Sequence, residues 1–370
     1  MSISITRSGA AACCVAALAL GTTACGGDDA DSAGGAAAGD AGGKIAFLLP
    51  ESKTTRYEQQ DRPNFINKVE ELCPGCEVIY ANADQDPAKQ QQQAEQAITN
   101  GAEVMVLDAV DVKSAASIVA RAKQSDIPVI SYGRLVSNAD LDYYVSIDPY
   151  KVGVQQGEVL LETLEQAGNP TGPVVMINGS PTDSNSAPYK EGAHSVLDAA
   201  GVEIAKEYDT PDWSPDKAQT EMEQAITSVG KDGFNGVYVA NDGMAGGAIA
   251  ALKGADIDPA TRPVTGQDAE VAALQRILAG EQLMTVYQPI REIASAAAQL
   301  AVALAQEKQP PNIATAKTNN GREDVPSVLI DTVSITEDNI QETVIEDGFV
   351  KASQICTDEY ATACADAGIE

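Results

Sequence analysis

The chain has 370 residues, a formal net charge of −30 at pH 7 and only 4% aromatic residues. So acidic a surface repels nucleic acid and anionic membrane, which argues against a nucleic-acid-binding role. A chain of this length exceeds what one compact core usually holds, so two domains are expected.

Arg7 precedes an apolar run from Ala10 to Leu20, the length of a signal-peptide core and too short for a permanent membrane helix. Residues 1–24 therefore read as a removed export signal. The run ends in Leu20-Gly-Thr-Thr-Ala-Cys25, which resembles the lipobox of bacterial lipoproteins, with Thr22 where that motif usually carries Leu. The resemblance implies that Cys25 becomes the lipidated first residue, anchored to the outer face of the cell membrane; a plain secretory signal with a chance cysteine is the alternative. From Gly26 to Gly43 the sequence is Gly, Ala, Ser and Asp without a large apolar side chain, so residues 25–43 read as a flexible tether.

Of the seven cysteines, Cys13 and Cys14 leave with the signal and Cys25 would carry lipid, leaving Cys73, Cys76, Cys356 and Cys364. An even number suits an oxidising compartment. Cys73-Pro-Gly-Cys76 could also serve as a redox-active pair or half a zinc site, but no paired histidine accompanies it. The plainer reading is two local disulfides, Cys73 with Cys76 and Cys356 with Cys364.

In chain order, strands are expected at Lys44 to Leu49, Val78 to Ala81, Val104 to Leu107 and Val129 to Tyr132, with helices at Arg62 to Leu72, Ala88 to Asn100 and Val112 to Ser125. Asp86-Pro87 supplies the N-cap and first position of the second helix, and Asn100-Gly101 its stop. A second series follows Asp148-Pro149. Its strands are Val174 to Ile177, Val202 to Ala205, Val237 to Ala240 and Val264 to Gly266. Its helices are Tyr150 to Gln166, Ala187 to Ala200, Pro215 to Ser228, Ala245 to Lys253 and Ala269 to Ala279. Strand-like runs at Met284 to Gln288 and Val328 to Ile330 then flank a helix from Arg291 to Glu307. The economical arrangement returns that helix to the first lobe, so the chain crosses three times: near Ser146 to Asp148, Tyr287 to Pro289 and Ile330 to Thr332. The fold class is thus α/β, two doubly wound parallel-sheet lobes joined by a three-strand hinge. The lobes are 44–146 plus 289–329 and 147–288 plus 330–370.

In an open parallel sheet ligands bind beyond the carboxyl ends of the strands, so Asn241, Asp242, Gln267 and Asp268 are expected to converge on one crevice. They pair hydrogen-bonding groups without an obvious reactive one, which favours holding a polar small molecule over transforming it.

From Lys44 to about Lys351 the chain resembles the D-xylose-binding proteins of bacterial sugar ABC transporters, within the type I periplasmic binding protein fold. The resemblance is carried by Arg56-Tyr57 with Asp61-Arg62, Tyr132-Gly-Arg134, Gly179-Ser-Pro-Thr-Asp-Ser-Asn185, Trp213, Asn241-Asp-Gly-Met-Ala-Gly-Gly-Ala248, Gly266-Gln-Asp268, Met284-Thr-Val-Tyr-Gln-Pro-Ile290, Asn319-Asn-Gly321 and Asp324-Val-Pro-Ser327. It implies a monomeric sugar-capture protein that delivers a monosaccharide to ABC permease subunits, with no cofactor, no metal and no nucleic acid partner. Tyr57 and Trp213 would stack on the sugar, and Arg56 and Arg134 would donate from the first lobe. Asp183, Asn185, Asn241, Asp268 and Gln288 would complete the ligand-binding set. Amides, carboxylates and guanidinium groups in the ring plane, with aromatics above it, are what a polyhydroxylated ring needs.

Two positions depart from the family. Relatives carry Tyr-Asp-Arg where this chain has Tyr132-Gly133-Arg134, and Tyr-Lys-Pro-Ile where it has Tyr287-Gln288-Pro289-Ile290. One acid and one base are lost together, which keeps the site neutral, and Gly133 is expected to free volume for water or for a substituent that a pentose lacks.

Other classes weigh less. A glycosidase using Asp242 and Asp268 lacks a full nucleophile-and-base set, and the one histidine, His194, falls inside a predicted helix. A sugar-responsive repressor needs a basic headpiece where this chain has an export signal. Asn82, Asp84 and Asp86 alternate, but no bidentate Glu closes a calcium loop. A sensory role, with the closed form docking on a receptor or sensor kinase, is the strongest rival to uptake.

Overall fold

The computed structural model describes residues 42–369; the expected export signal, Cys25 and nearly all of the tether lie outside the described residues. The chain opens with β1 (Lys44–Leu49), whose last five side chains are buried, as a central parallel strand covered on both faces requires. A π-helical turn at Tyr57–Asp61 runs directly into α1 (Arg62–Leu72). β2 (Glu77–Asn82) and α2 (Pro87–Thr99) follow, and the Asp86 side chain accepts from the Ala88 and Lys89 amides as the Asp-Pro start leads one to expect. β3 (Val104–Leu107) leads to α3 (Ala116–Lys123), shorter than expected because Asp111 folds its carboxylate onto the Lys113 and Ser114 amides and turns the chain first. β4 (Val129–Tyr132) and β5 (Tyr143–Ile147) complete this run. β5 is a strand where only a crossing was expected. It lies between two neighbours, and that burial decides its conformation.

The second series is α4 (Pro149–Gln166), β6 (Val174–Asn178), α5 (Ser186–Leu197), β7 (Ile204–Asp209), α6 (Pro215–Val229), β8 (Gly236–Val239), α7 (Asp242–Gly254), α8 (Val271–Leu278) and β9 (Thr285–Tyr287). Then come α9 (Ile290–Ala305), the hairpin of β10 (Ala316–Asn319) and β11 (Asp324–Ile330), and β12 (Val333–Ile335). The strand expected at Val264 to Gly266 contributes a single parallel bridge, Val264 to Val237.

The larger sheet has the order β10-β11-β5-β4-β3-β1-β2, parallel except for the β10–β11 hairpin. The smaller has the order β7-β6-β8, and β9 pairs with β12 in a separate antiparallel ribbon. Strand order reverses between β1 and β3 in one sheet and between β6 and β8 in the other, and such switch points open a crevice at the carboxyl ends. The chain passes from one sheet system to the other after β5, between β9 and α9, which packs on α1, and between β11 and β12. Disulfides join Cys73 to Cys76 at the end of α1 and Cys356 to Cys364 near the carboxyl terminus.

Candidate functional site

Loops from both sheets close around one cavity. Thr54, Arg56 and Tyr57 reach it after β1, Arg134 after β4, and Asp183, Asn185 and Tyr189 after β6; Trp213 follows β7, Asn241 follows β8, and Gln267 and Asp268 precede α8. About 310 Å³ lies unfilled between these residues, most of it in gaps narrower than a water molecule. The side chains themselves occupy the room a ligand would take. A wider groove of about 890 Å³ opens to solvent on the other side of Asn185, along Leu135, Asp148 and Lys317, but Asp148 there is spent capping α4. The smaller cavity has the convergent polar groups.

Two arginines organise it. Arg56 donates through Nη1 to both Asp61 oxygens at 2.9 Å, its Nε stands 3.3 Å from Asp268 Oδ1, and its guanidinium lies 4.4 Å from the centre of the Tyr57 ring. Tyr132 donates its hydroxyl to Asp61 at 2.5 Å. Arg134 sets Nε 2.7 Å from Asp183 Oδ2 and 3.6 Å from Asp108 Oδ1, while Nη1 donates to the Ala109 carbonyl. Burial disfavours both cations, yet Asp61 beside Arg56 and Asp183 beside Arg134 hold them protonated and above the ordinary range. Burial raises Asp61, Asp108 and Asp268 in turn, opposed by the same arginines.

The second sheet supplies the remaining wall. Asp183 accepts from the Asn185 amide at 2.8 Å and from Trp213 Nε1 at 3.1 Å, which orients the indole edge-on to Tyr189 with ring centres 6.4 Å apart. A Cβ on Gly179 would collide with that indole, so the glycine is what lets Trp213 lie down there. Asn241 caps α7 by accepting from the Met244 amide. Its side chain also hydrogen-bonds the Asp268 carboxylate, the nitrogen donating while the oxygen serves the cap. Asn185 donates to the Gly133 carbonyl, and Gln267 donates to the Tyr189 hydroxyl.

Three sequence expectations need correction. Asp242 does not face the crevice: it is fully buried behind α7, accepting from Gln282, Thr285 and the Glu270 amide. Gln288 does not line the cavity but donates to Asp268 Oδ1 at 2.9 Å and so steadies that carboxylate from behind. Gly133 frees no volume, because a Cβ built there would run into the carboxylate of Asp108, and its φ of +64° is one that side chains rarely adopt. Thr54 and Tyr189 line the cavity without having been singled out. Thr54 sits on a loop, and Tyr189 reads in sequence as an ordinary helix-core aromatic.

Residues 45–309 match the family model described as periplasmic binding protein domain. The chain belongs to the periplasmic binding protein family. Among its relatives in the family, the D-xylose-binding periplasmic protein of Haemophilus influenzae is 36% identical over 310 residues, 83% of this chain and 90% of that one. The protein of the same description from Escherichia coli K12 is 34% identical over 316 residues, 84% and 92% respectively. An ABC transporter solute-binding protein from Clostridium phytofermentans, solved with bound β-D-glucose, superposes with a TM-score of 0.75 at 29% identity over 84% of this chain and 99% of that one. The architecture is the type I fold of periplasmic binding proteins, with two parallel-sheet lobes. His194 does not line the cavity; it is partly exposed on α5, between Asp198 and Glu207. Among the described residues no group of three His, Cys, Asp or Glu is placed to hold a metal ion.

Proposed function

We propose that the chain is an extracytoplasmic sugar-binding protein that captures a monosaccharide, D-xylose or a related aldose, between its lobes and hands it to an ABC permease. One observation carries the reading: two arginines, two carboxylates, three side-chain amides and the rings of Tyr57, Tyr189 and Trp213 surround a single cavity shared by both sheets. Such a set can donate to and accept from every hydroxyl of a ring while covering its apolar faces, and it contains no nucleophile paired with a base. The family relationship supports the same ligand class. Cys25 tethers the protein to the outer membrane face in this reading, and lobes of residues 44–146 plus 289–329 and 147–288 plus 330–370 close about the three crossings.

The test is a thermal-shift and calorimetric panel of D-xylose, L-arabinose, D-ribose, D-glucose and D-galactose. The cognate sugar at a hundred times its Kd is expected to stabilise the fold by about 2.7 kcal/mol. Asn241→Ala removes one buried partner, worth about 1 to 3 kcal/mol, and is expected to weaken binding about 5- to 150-fold. If no monosaccharide raises the melting point, the assignment is wrong.

A further inference from the structure

Asp108 follows β3 at the carboxyl edge of the larger sheet, on the switch-point side next to β1. It is completely buried, and neither of its carboxylate oxygens has a hydrogen-bond partner. Its backbone is fully used, with the amide donating to the Leu48 carbonyl and the carbonyl accepting from Gln90. The side chain alone is unsatisfied.

Leaving a buried carboxylate without donors is costly, and native structures seldom tolerate it away from a functional site. The nearest cation, Arg134 Nε, stands 3.6 Å away and leans instead to Asp183 at 2.7 Å. The carboxylate lies against Gly133 at the one place where a Cβ on that residue would sit. Glycine at 133 is therefore what admits the Asp108 side chain, and the carboxylate comes from the neighbouring strand. Asp108 lies just behind the cavity wall, and Arg134, 3.6 Å from it, lines the cavity.

We infer that Asp108 is a specificity-determining residue that accepts a hydrogen bond from one hydroxyl of the bound sugar, its carboxylate standing where a side chain at position 133 would otherwise lie. The inference rests on the sugar-binding reading above and adds to it a residue outside the cavity's lining. It divides the labour between two residues. Arg134 clamps Asp183 across the cleft, and Asp108, 3.6 Å from Arg134 Nε but without a hydrogen bond to it, selects among epimers by demanding a donor at one ring position. A sugar that places hydrogen or an inverted hydroxyl there leaves the carboxylate unpaired and binds less well.

The experiment is calorimetry of the full chain with D-xylose and D-glucose and their monodeoxy analogues, on the unmodified protein, Asp108→Ala, Asp108→Asn and Asn241→Ala. In the unmodified protein one deoxy analogue is expected to bind about 10- to 100-fold more weakly than its parent sugar. Asp108→Ala is expected to lose a similar factor for the parent and to show no further loss with that one analogue, while still discriminating the others. Asp108→Asn keeps the shape and an acceptor oxygen, so a partial loss confined to the same ring position is expected, and it serves if the alanine variant does not fold. Equal losses across all analogues would reduce Asp108 to a support for Arg134 and overturn the inference. Unchanged affinity in both Asp108 variants, with Asn241→Ala impaired, would overturn it while leaving the sugar site standing. No binding of either parent sugar by the unmodified protein would remove both.

Discussion

Asp183 shows how one side chain holds several jobs at the residue scale. Its two oxygens accept from the Asn185 amide and from Trp213 Nε1, and Oδ2 also lies 2.7 Å from Arg134. A carboxylate so employed holds the indole of its own wall and, across the cleft, the guanidinium of the other. Asn241 is a helix cap and a cavity residue together, so the structural and functional readings of that asparagine are compatible. His194 illustrates a titrating residue outside the cavity. Partial burial disfavours its charge, but hydrogen bonds that it donates to Glu207 and Asp198 prevail and raise its pKa above the ordinary value. Because the folded pKa is the higher one, its stabilisation is complete below the unfolded value of about 6.5 and is lost as pH rises through the folded pKa. Screening of a partly exposed pair limits it to about 0.5 kcal/mol. An NMR titration of the chain's single histidine is expected to report a pKa above 6.5 that falls in Glu207→Gln; an unchanged midpoint in the variant would dissociate the histidine from Glu207.

At the scale of elements, the packing of α4 on α5 depends on small residues. A Cβ on Gly153 would meet the Tyr189 carbonyl and the Ala193 amide, and one on Gly192 would meet the Tyr150 carbonyl. The two helices approach backbone to backbone there, and α5 carries Tyr189 into the cavity. Gly153→Ala is therefore expected to cost about 1 to 3 kcal/mol in denaturant unfolding through overpacking. Gly254 ends α7 with open space around it, so Gly254→Ala should be neutral or stabilising by up to about 1 kcal/mol. Equal effects of the two would contradict the packing argument. Elements with strong local signals were legible in the sequence: β1, β3 and β4 as unbroken apolar runs, and α2 from its Asp86-Pro87 start. The β10–β11 hairpin is legible only in its last residues, because the alternating half-buried and exposed positions of Ala316–Asn319 make a weak edge-strand signal that pairing with β11 rescues.

For the whole molecule, the cleft is drawn shut by pairs that join opposite walls: Arg56 with Asp268, Arg134 with Asp183, Thr55 with Glu270, and Asn185 with the Gly133 carbonyl. In an open form these groups would be in water, so burying the ion pairs brings a desolvation penalty that offsets much of their attraction. Under the proposed mechanism, closure without ligand would be only marginally favoured, and a sugar that supplies neutral hydroxyls to the same groups would tip the balance. Small-angle scattering of the purified protein is expected to show the radius of gyration falling on addition of the cognate sugar, toward the roughly 20 Å of a compact chain this size. A radius that does not respond to a sugar shown to bind would remove hinge closure from the mechanism.

The sequence by itself determined the alternation of strands and helices, the caps that start them, and the supply of Asn, Asp, Arg and aromatic residues at strand ends. These follow from periodicity and local hydrogen bonding within a few residues. Only the tertiary structure decided that Asp242 turns into the protein to satisfy Gln282 and Thr285, that Gln288 supports Asp268 from behind, and that Asp108 fills the space beside Gly133. Each of those outcomes depends on which neighbour from a distant segment offers a donor or occupies a Cβ position, and no local pattern encodes that.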